Sequence, residues 1–183
     1  MALKLLNWDS EIFGFAMAAV NAPKLTPEIM SLIQHETEEQ KIRFLQTVCD
    51  CADLGNIHQA ETAGFHFVDI RLTFQKILSS SDFMPEKKPG IYFGLATPAH
   101  IPAILEMSTD LYQDFRYYVD MQFPRGKVDT FYHTWLSNAV YGRYDHLCYC
   151  LFIDDTPIGY CTIRFTDPHS ASLGLFGIAS AHQ

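Results

Sequence analysis

This chain of 183 residues predicts a mixed α/β (α+β) fold with a mixed sheet, built in two parts. Segments of strand-like and helix-like periodicity alternate along it, in the order β-α-β-α-β and then β-α-α-β-β-β. One stretch, Ser79–Gly90 (SSSDFMPEKKPG), interrupts both patterns with serines, two prolines, charge and a closing glycine, the composition of a linker. With 48% hydrophobic and 14% aromatic residues, the chain has ample apolar material for packed interiors. The expected organisation is a first domain over residues 1–78, a linker over 79–90 and a second domain over 91–183.

In the first part a strand is expected near Phe15–Val20. Thr26 is placed to cap a helix whose first position is Pro27, where a missing N–H costs nothing, and Ile29, Leu32 and Ile33 fall on one face. A strand at Ile42–Cys49, a short helix at Asn56–Ala63 and a long strand at Phe65–Ile77 complete the pattern. The opening LNWDSEIFGF offers Trp8 and Phe13 either to core packing or to a contact with a partner or domain.

In the second part Ile91–Ala96 reads as a strand and Thr97–Tyr112 as a helix carrying Ile101, Ile104, Leu105 and Leu111. The next segment, DFRYYVDMQFPRG, has no period and is rich in aromatics and arginine, so a loop is expected there. From Val128, the positions of Phe131, Tyr132, Trp135, Leu136, Ala139 and Val140 trace the apolar stripe of a helix that ends near Gly142. Three strands follow, His146–Ile153, Pro157–Phe165 and Ala171–Ile178. Their connections are short and made of turn residues, which favours antiparallel pairing.

The formal charge of −8 argues against a nucleic-acid surface, which normally carries a basic stripe. No apolar run approaches the roughly 18–20 residues of a membrane span. Asp9 and Glu11 interrupt the start before a signal-peptide core can form, so a soluble, cytoplasmic protein without membrane partners is expected. The five cysteines are odd in number and include Cys49/Cys51 and Cys148/Cys150, whose spacing would put both sulfurs of a pair on one strand face, in principle within reach of a metal. No Cys-x-x-Cys or neighbouring histidine completes a ligand set, and reduced core cysteines with no metal are expected. Asp145-His146 could suggest an acid/base pair, but neighbours on a strand point to opposite faces.

The order β-α-α-β-β-β, with a polar-aromatic loop between the helices, resembles the first half of the GCN5-related N-acetyltransferase fold. Leu173–Ile178 is similar to that family's fourth strand, and Ala179–Gln183 to the approach to its Gln/Arg-x-x-Gly-x-Gly/Ala loop, with Gln183 as the first residue. The segments LNWDSEIFGF, DLGNIHQAETAGFHFVDIRLTFQK and FYHTWLSNAVYGRYDHLCYCLFIDDTPIGYCTIRF narrow the likeness. They resemble bacterial members that acetylate the amino group of a nucleotide-linked sugar. In such members the N-terminal portion is itself a degenerate piece of the same fold, and Asn56, Ala60 and Gly64-Phe65 are similar to its closing helix and strand.

The resemblance implies acetyl-CoA as acyl donor and a small amine or amino-sugar nucleotide as acceptor. Phe176, Gly177 and Ile178 would meet the pantetheine arm and the thioester carbonyl, and Gln183 would open the pyrophosphate loop at a helix N-terminus. Arg116, Tyr117, Tyr118 and Asp120 in the inter-helix loop, with Tyr160 and Arg164 on the third strand, would line the acceptor side. An arginine fork suits a diphosphate. Salt bridging by the arginines and packing by the tyrosines are the alternatives. No catalytic residue is assigned: Ser172, Leu173, Gly174 and Leu175 stand where the family sometimes places a carboxylate base, which leaves a water relay.

The glycines of the family's loop would fall after Gln183, so the expectation is a chain cut at its cofactor loop, inactive and binding coenzyme A weakly or not at all. The alternative is a non-catalytic binding or assembly module derived from the same fold. Leu173–Ile178 has no charge, proline or lysine to discourage pairing, and is expected either to pair with a second copy in a homodimer or to be covered by the first part.

Overall fold

A computed structural model describes residues 1–79, 89–109 and 111–183, and the chain divides into two units, Met1–Asp69 and Ile70–Gln183. The first contains β1 (Leu3–Leu5), α1 (Asn7–Phe13), β2 (Met17–Val20), α2 (Pro27–Glu39), β3 (Phe44–Gln46) and α3 (Leu54–Thr62). Its sheet has the order β1-β2-β3 and is mixed, because β1 runs antiparallel to β2 while β3 runs parallel to it. Parallel neighbours need a crossover, and α2 supplies it. The Thr26 hydroxyl accepts the Ile29 N–H at 3.4 Å with Pro27 in the first turn, as its sequence predicts, and Asp53 caps α3 through the Asn56 N–H at 3.2 Å.

Leu3, Ala18, Leu25, Ile33, Ile42 and Ala60 form the core of this unit. Two polar side chains take up backbone N–H groups that the sheet and helices leave over. The Glu36 carboxylate accepts the N–H groups of Ala2 and Leu3, both at 2.9 Å, and the Asn56 amide oxygen accepts that of Leu25 at 2.8 Å.

The opening LNWDSEIFGF forms β1's exit and all of α1, which stops at Gly14 with φ 81°, a left-handed position natural to glycine. The strand expected over Ile42–Cys49 shortens to β3. The long strand expected over Phe65–Ile77, the last element of the β-α-β-α-β pattern, is absent: residues 65–79 have no regular secondary structure, and Phe67, Ile70, Leu72, Phe74 and Ile77 are exposed. Alternation marks a segment able to form a strand, but a strand exists only in a ladder with a neighbouring strand, and no described strand pairs with this one. Residues 80–88 of the expected linker lie outside the described residues.

The second unit contains β4 (Ile91–Leu95), a 3₁₀ turn at Pro98–His100, α4 (Ile101–Ser108), α5 (Arg116–Val119), α6 (Arg125–Val140), β5 (Leu147–Ile153), β6 (Thr156–Asp167), β7 (Ser170–Ile178) and a closing 3₁₀ turn at Ser180–His182. All neighbours in the sheet β4-β5-β6-β7 are antiparallel. Asp154 and Asp155, at φ 46° and 65°, make the two-residue turn between β5 and β6, where left-handed positions match the twist of a hairpin. The helix expected over Thr97–Tyr112 ends earlier, at Ser108. The hydroxyls of Ser108 and Thr109 both donate to the Leu105 carbonyl and compete with the next helical bond. Within the expected loop, Arg116–Val119 closes one short helical turn.

Helices α4 and α6 pack on the sheet face that carries Cys148, Cys150, Phe152, Tyr160 and Thr162. Burial pushes the Cys148 thiol up to about 12 and Cys150 to about 11, so both stay protonated and behave as small hydrophobes. No helix among the described residues is long and apolar enough to cross a membrane.

The Glu36 carboxyl is held below its usual value of 4.5, first by the Ala2 N–H. A carboxyl depressed in the folded state contributes its stability above the unfolded value and loses it as pH falls through the folded value. Glu36→Gln is expected to lower the urea midpoint at neutral pH and to flatten the decline in stability below about pH 5. Urea titrations of both proteins across that range measure the difference.

Candidate functional site

The register of β6 and β7 contains an irregularity from which the site is built. Cys161 lies opposite Phe176 and Ile163 opposite Leu173, so β7 holds one residue more than β6 over this stretch, a β-bulge at Gly174-Leu175. The Leu175 N–H, displaced from the ladder, donates to the Thr162 hydroxyl at 2.9 Å. Gly174 needs its missing Cβ for space: a methyl group there would overlap the Thr162 hydroxyl and stand 2.9 Å from Asp145 Oδ2. Asp145, only 1% exposed, accepts from Trp135 Nε1 at 2.8 Å and pairs with Arg164 Nη2 at 2.9 Å. The Arg164 guanidinium also covers the Tyr144 ring, 4.7 Å from its centre.

Beyond the bulge the ladder is regular. The Ala179 N–H donates to the Ile158 carbonyl, and the alternation of antiparallel pairs then turns the backbone of Gly177 toward β6 and that of Phe176 and Ile178 away from it. Two side chains reach these outward carbonyls. Tyr112 Oη donates to the Phe176 carbonyl at 3.5 Å, and Gln183 Nε2 to the Ile178 carbonyl at 2.9 Å. A cleft of about 390 Å³ opens along this edge, lined by Leu111, Tyr112, Phe115, Gly174, Leu175, Phe176, Gly177, Ile178 and Gln183. Its surface is apolar apart from a tyrosine hydroxyl, one side-chain amide and the strand backbone.

The Tyr112 hydroxyl also shares a hydrogen bond with that of Tyr160, and both groups are pushed well above the usual tyrosine range, chiefly by burial. Both are neutral at neutral pH. Tyr112 stacks on Tyr132 at 5.0 Å, and Tyr132 on Tyr118 at 5.5 Å, so the cleft wall continues into an aromatic column between α5 and α6.

Four of the residues singled out in the sequence, Phe176, Gly177, Ile178 and Gln183, meet in the cleft. Tyr160 stands behind Gly177, its hydroxyl 3.1 Å from where a Cβ on that glycine would be. Arg116, Tyr117, Tyr118 and Asp120 lie on or beside α5, immediately after Phe115 of the cleft wall. Tyr117 is buried against Phe123 and Phe131, and the Arg116 guanidinium covers the Tyr117 ring at 4.6 Å. The Tyr118 hydroxyl donates to Asp129 at 2.6 Å, and Asp120 accepts from the Gln122 N–H at 3.0 Å. Arg164 is outside the cleft, on Asp145.

Neither Tyr112 nor Thr162 stood out in the sequence as a site residue, and Asp145 was weighed there only as half of an acid/base pair with His146 and set aside. Tyr112 was visible only as the end of a helix, and the separation of 13 residues between Thr162 and Leu175 carries no local signal. The Trp135, Asp145 and Arg164 partnership is equally a product of folding.

Removing either hydroxyl of the tyrosine pair leaves the other buried and poorly bonded. Tyr112→Phe and Tyr160→Phe are each expected to cost about 1–3 kcal/mol. The double variant should cost less than their sum, because the second loss removes a group already unpaired. A double-mutant cycle by denaturant unfolding reads the coupling directly.

No family model matches the chain. Among curated proteins, it is similar to a dTDP-fucosamine acetyltransferase of Escherichia coli O6:H1, 25% identical over an alignment 183 positions long that covers 95% of this chain and 72% of that protein.

Proposed function

We propose that the protein is a GCN5-related acetyltransferase that moves an acetyl group from acetyl-CoA to an amine, the acceptor class being an amino sugar linked to a nucleotide. The observation that carries this reading is the edge of β7. A bulged strand directs the backbone of Phe176 and Ile178 off the sheet and into an apolar cleft. The similarity to a dTDP-fucosamine acetyltransferase along most of the chain supports it independently.

The cleft fits the acyl end of such a donor. Leu111, Phe115, Leu175 and Ile178 offer apolar contact to methyl and methylene groups, and the strand edge offers amides spaced for an extended arm. When bound, acetyl-CoA would supply a thioester whose acyl carbon bonds to the amine nitrogen as the C–S bond breaks, coenzyme A leaving as the thiol with the proton that the amine gives up. The outward N–H groups of β7 then stabilise the negative charge that develops on the carbonyl oxygen, and the apolar walls exclude water that would weaken this interaction. Gln183 continues the donor side. The same outward groups could pair with another strand, so donor binding requires the edge of β7 to be free of a second copy.

On this reading residues 91–183 carry the chemistry, and residues 1–78 are a degenerate relative of the same fold. The acceptor would approach along α5, where Arg116 follows the cleft residue Phe115, Tyr118 lies two residues on and Asp120 about one turn further. Tyr117 and Tyr160 shape this wall from behind. Arg164 would contribute through the exposed part of its guanidinium, its other side being held by Asp145.

Because this chain itself forms the strand edge and the apolar cleft, activity replaces the earlier expectation of an inactive chain: incubation with acetyl-CoA and dTDP-linked amino sugars is expected to release coenzyme A thiol only when both substrates are present. No thiol release with any amine, together with no acetyl-CoA binding by calorimetry, would sink the proposal. Arg116→Ala is expected to raise the acceptor KM about tenfold, equivalent to roughly 1.4 kcal/mol, with the acetyl-CoA KM unchanged. Equal effects on both substrates would remove Arg116 from the acceptor side.

A further inference from the structure

We propose that Thr162 and Asp145 act together as positioning residues that aim the backbone of β7 at the acyl donor, a role that rests on the acetyl-transfer reading. Neither faces the cleft. Thr162 is fully buried in β6, and Asp145 stands just before β5. Both converge on the same point, the Cα of Gly174, where the extra residue of β7 is accommodated.

A bulge is one of two arrangements open to such a strand. The other is regular pairing, in which the residues on one side of Gly174-Leu175 move by one position relative to β6. Side chains and backbone groups alternate with period two, so that shift would exchange the groups that face β6 with those that face outward. Applied to the segment after the bulge, it would turn the N–H and C=O of Phe176 and Ile178 toward β6, and the cleft would lose its polar edge. The bulge therefore decides which amides a donor meets.

Three features favour the bulged arrangement. The Thr162 hydroxyl gives the displaced Leu175 N–H an acceptor at 2.9 Å that regular backbone pairing would not need. Gly174 leaves room for that hydroxyl and for the Asp145 carboxylate. Asp145 is itself fixed from two sides, by Trp135 Nε1 on α6 and by Arg164 two residues along β6 from Thr162. The carboxylate thereby ties α6, the entry to β5 and β6 to one place on β7. These contacts satisfy buried groups, and they do so at the strand that borders the cleft, so the same bonds that stabilise the bulge fix the direction of its outward amides.

The test compares Thr162→Val, which keeps shape and removes the acceptor, with Thr162→Ser, which restores it. Amide hydrogen exchange is followed at Leu175 and Phe176, acetyl-CoA binding by calorimetry, and the acceptor KM by the thiol assay. In Thr162→Val the Leu175 amide is expected to lose protection, and acetyl-CoA affinity to fall roughly tenfold to a hundredfold, the scale of a misplacement of about 1 Å. The acceptor KM should stay the same, and Thr162→Ser should return both properties. Gly174→Ala, which sets a methyl group against Thr162 and Asp145, should give the same pattern from the other strand, and carries the test where Thr162→Val does not fold. Normal acetyl-CoA binding by a folded Thr162→Val or Gly174→Ala protein would overturn the positioning role. So would donor and acceptor constants that move together without rescue by serine. Absence of acetyl-CoA binding by the unaltered protein would instead remove the acetyl-transfer reading on which the role rests.

Discussion

One unpaired N–H governs the architecture of the second unit. An extra residue in β7 displaces the Leu175 N–H from the ladder, and a buried donor without an acceptor carries a cost comparable to a lost hydrogen bond. The Thr162 hydroxyl removes that cost. Once it does so, position 174 must be glycine, because any side chain would meet the hydroxyl and the Asp145 carboxylate. The carboxylate in turn needs partners, found in Trp135 and Arg164. A buried charge is tolerated when it is paired and hydrogen-bonded, and here the pairing joins a helix to two strands.

The cleft is the other consequence. Because the ladder resumes after the bulge, Phe176 and Ile178 direct their backbone outward along an edge that no fifth strand takes up among the described residues. Leu111 and Phe115 bring apolar walls to that edge from the segment between α4 and α5. That segment is free to do so because α4 ends at Ser108, where two hydroxyls compete for the Leu105 carbonyl. The neutral Tyr112 and Tyr160 hydroxyls close the rear. The cleft lining thus offers hydroxyl, amide and backbone dipoles and no charged side chain.

The first unit solves a similar problem with different groups. Its short strands leave backbone N–H groups unpaired near the core, and Glu36 and Asn56 supply acceptors from α2 and α3. In both units a polar side chain on a regular element satisfies backbone that secondary structure leaves over. Residues 65–79 carry an alternating apolar sequence that pairs with no described strand and leaves large side chains such as Phe67 and Phe74 exposed.

Local chemistry was legible in the chain. The Thr26-Pro27 start of α2, the apolar stripe of α6, the Asp154-Asp155 turn and the three closing strands all follow from interactions among residues close in sequence, and the structure places them where the pattern does. Family resemblance added Phe176, Gly177, Ile178 and Gln183 as a group, and these four share one cleft. Tertiary structure alone decided the rest. Phe65–Ile77 has the period of a strand, but its fate depends on a neighbour that no local pattern names. Thr162, Leu175, Trp135, Asp145 and Arg164 look unrelated along the chain, and the pairing of Tyr112 with Tyr160 spans 48 residues. The physical reason is the same in each case: periodicity reports which side of an element is apolar, whereas a hydrogen bond between distant elements exists only after packing has brought donor and acceptor within about 3 Å.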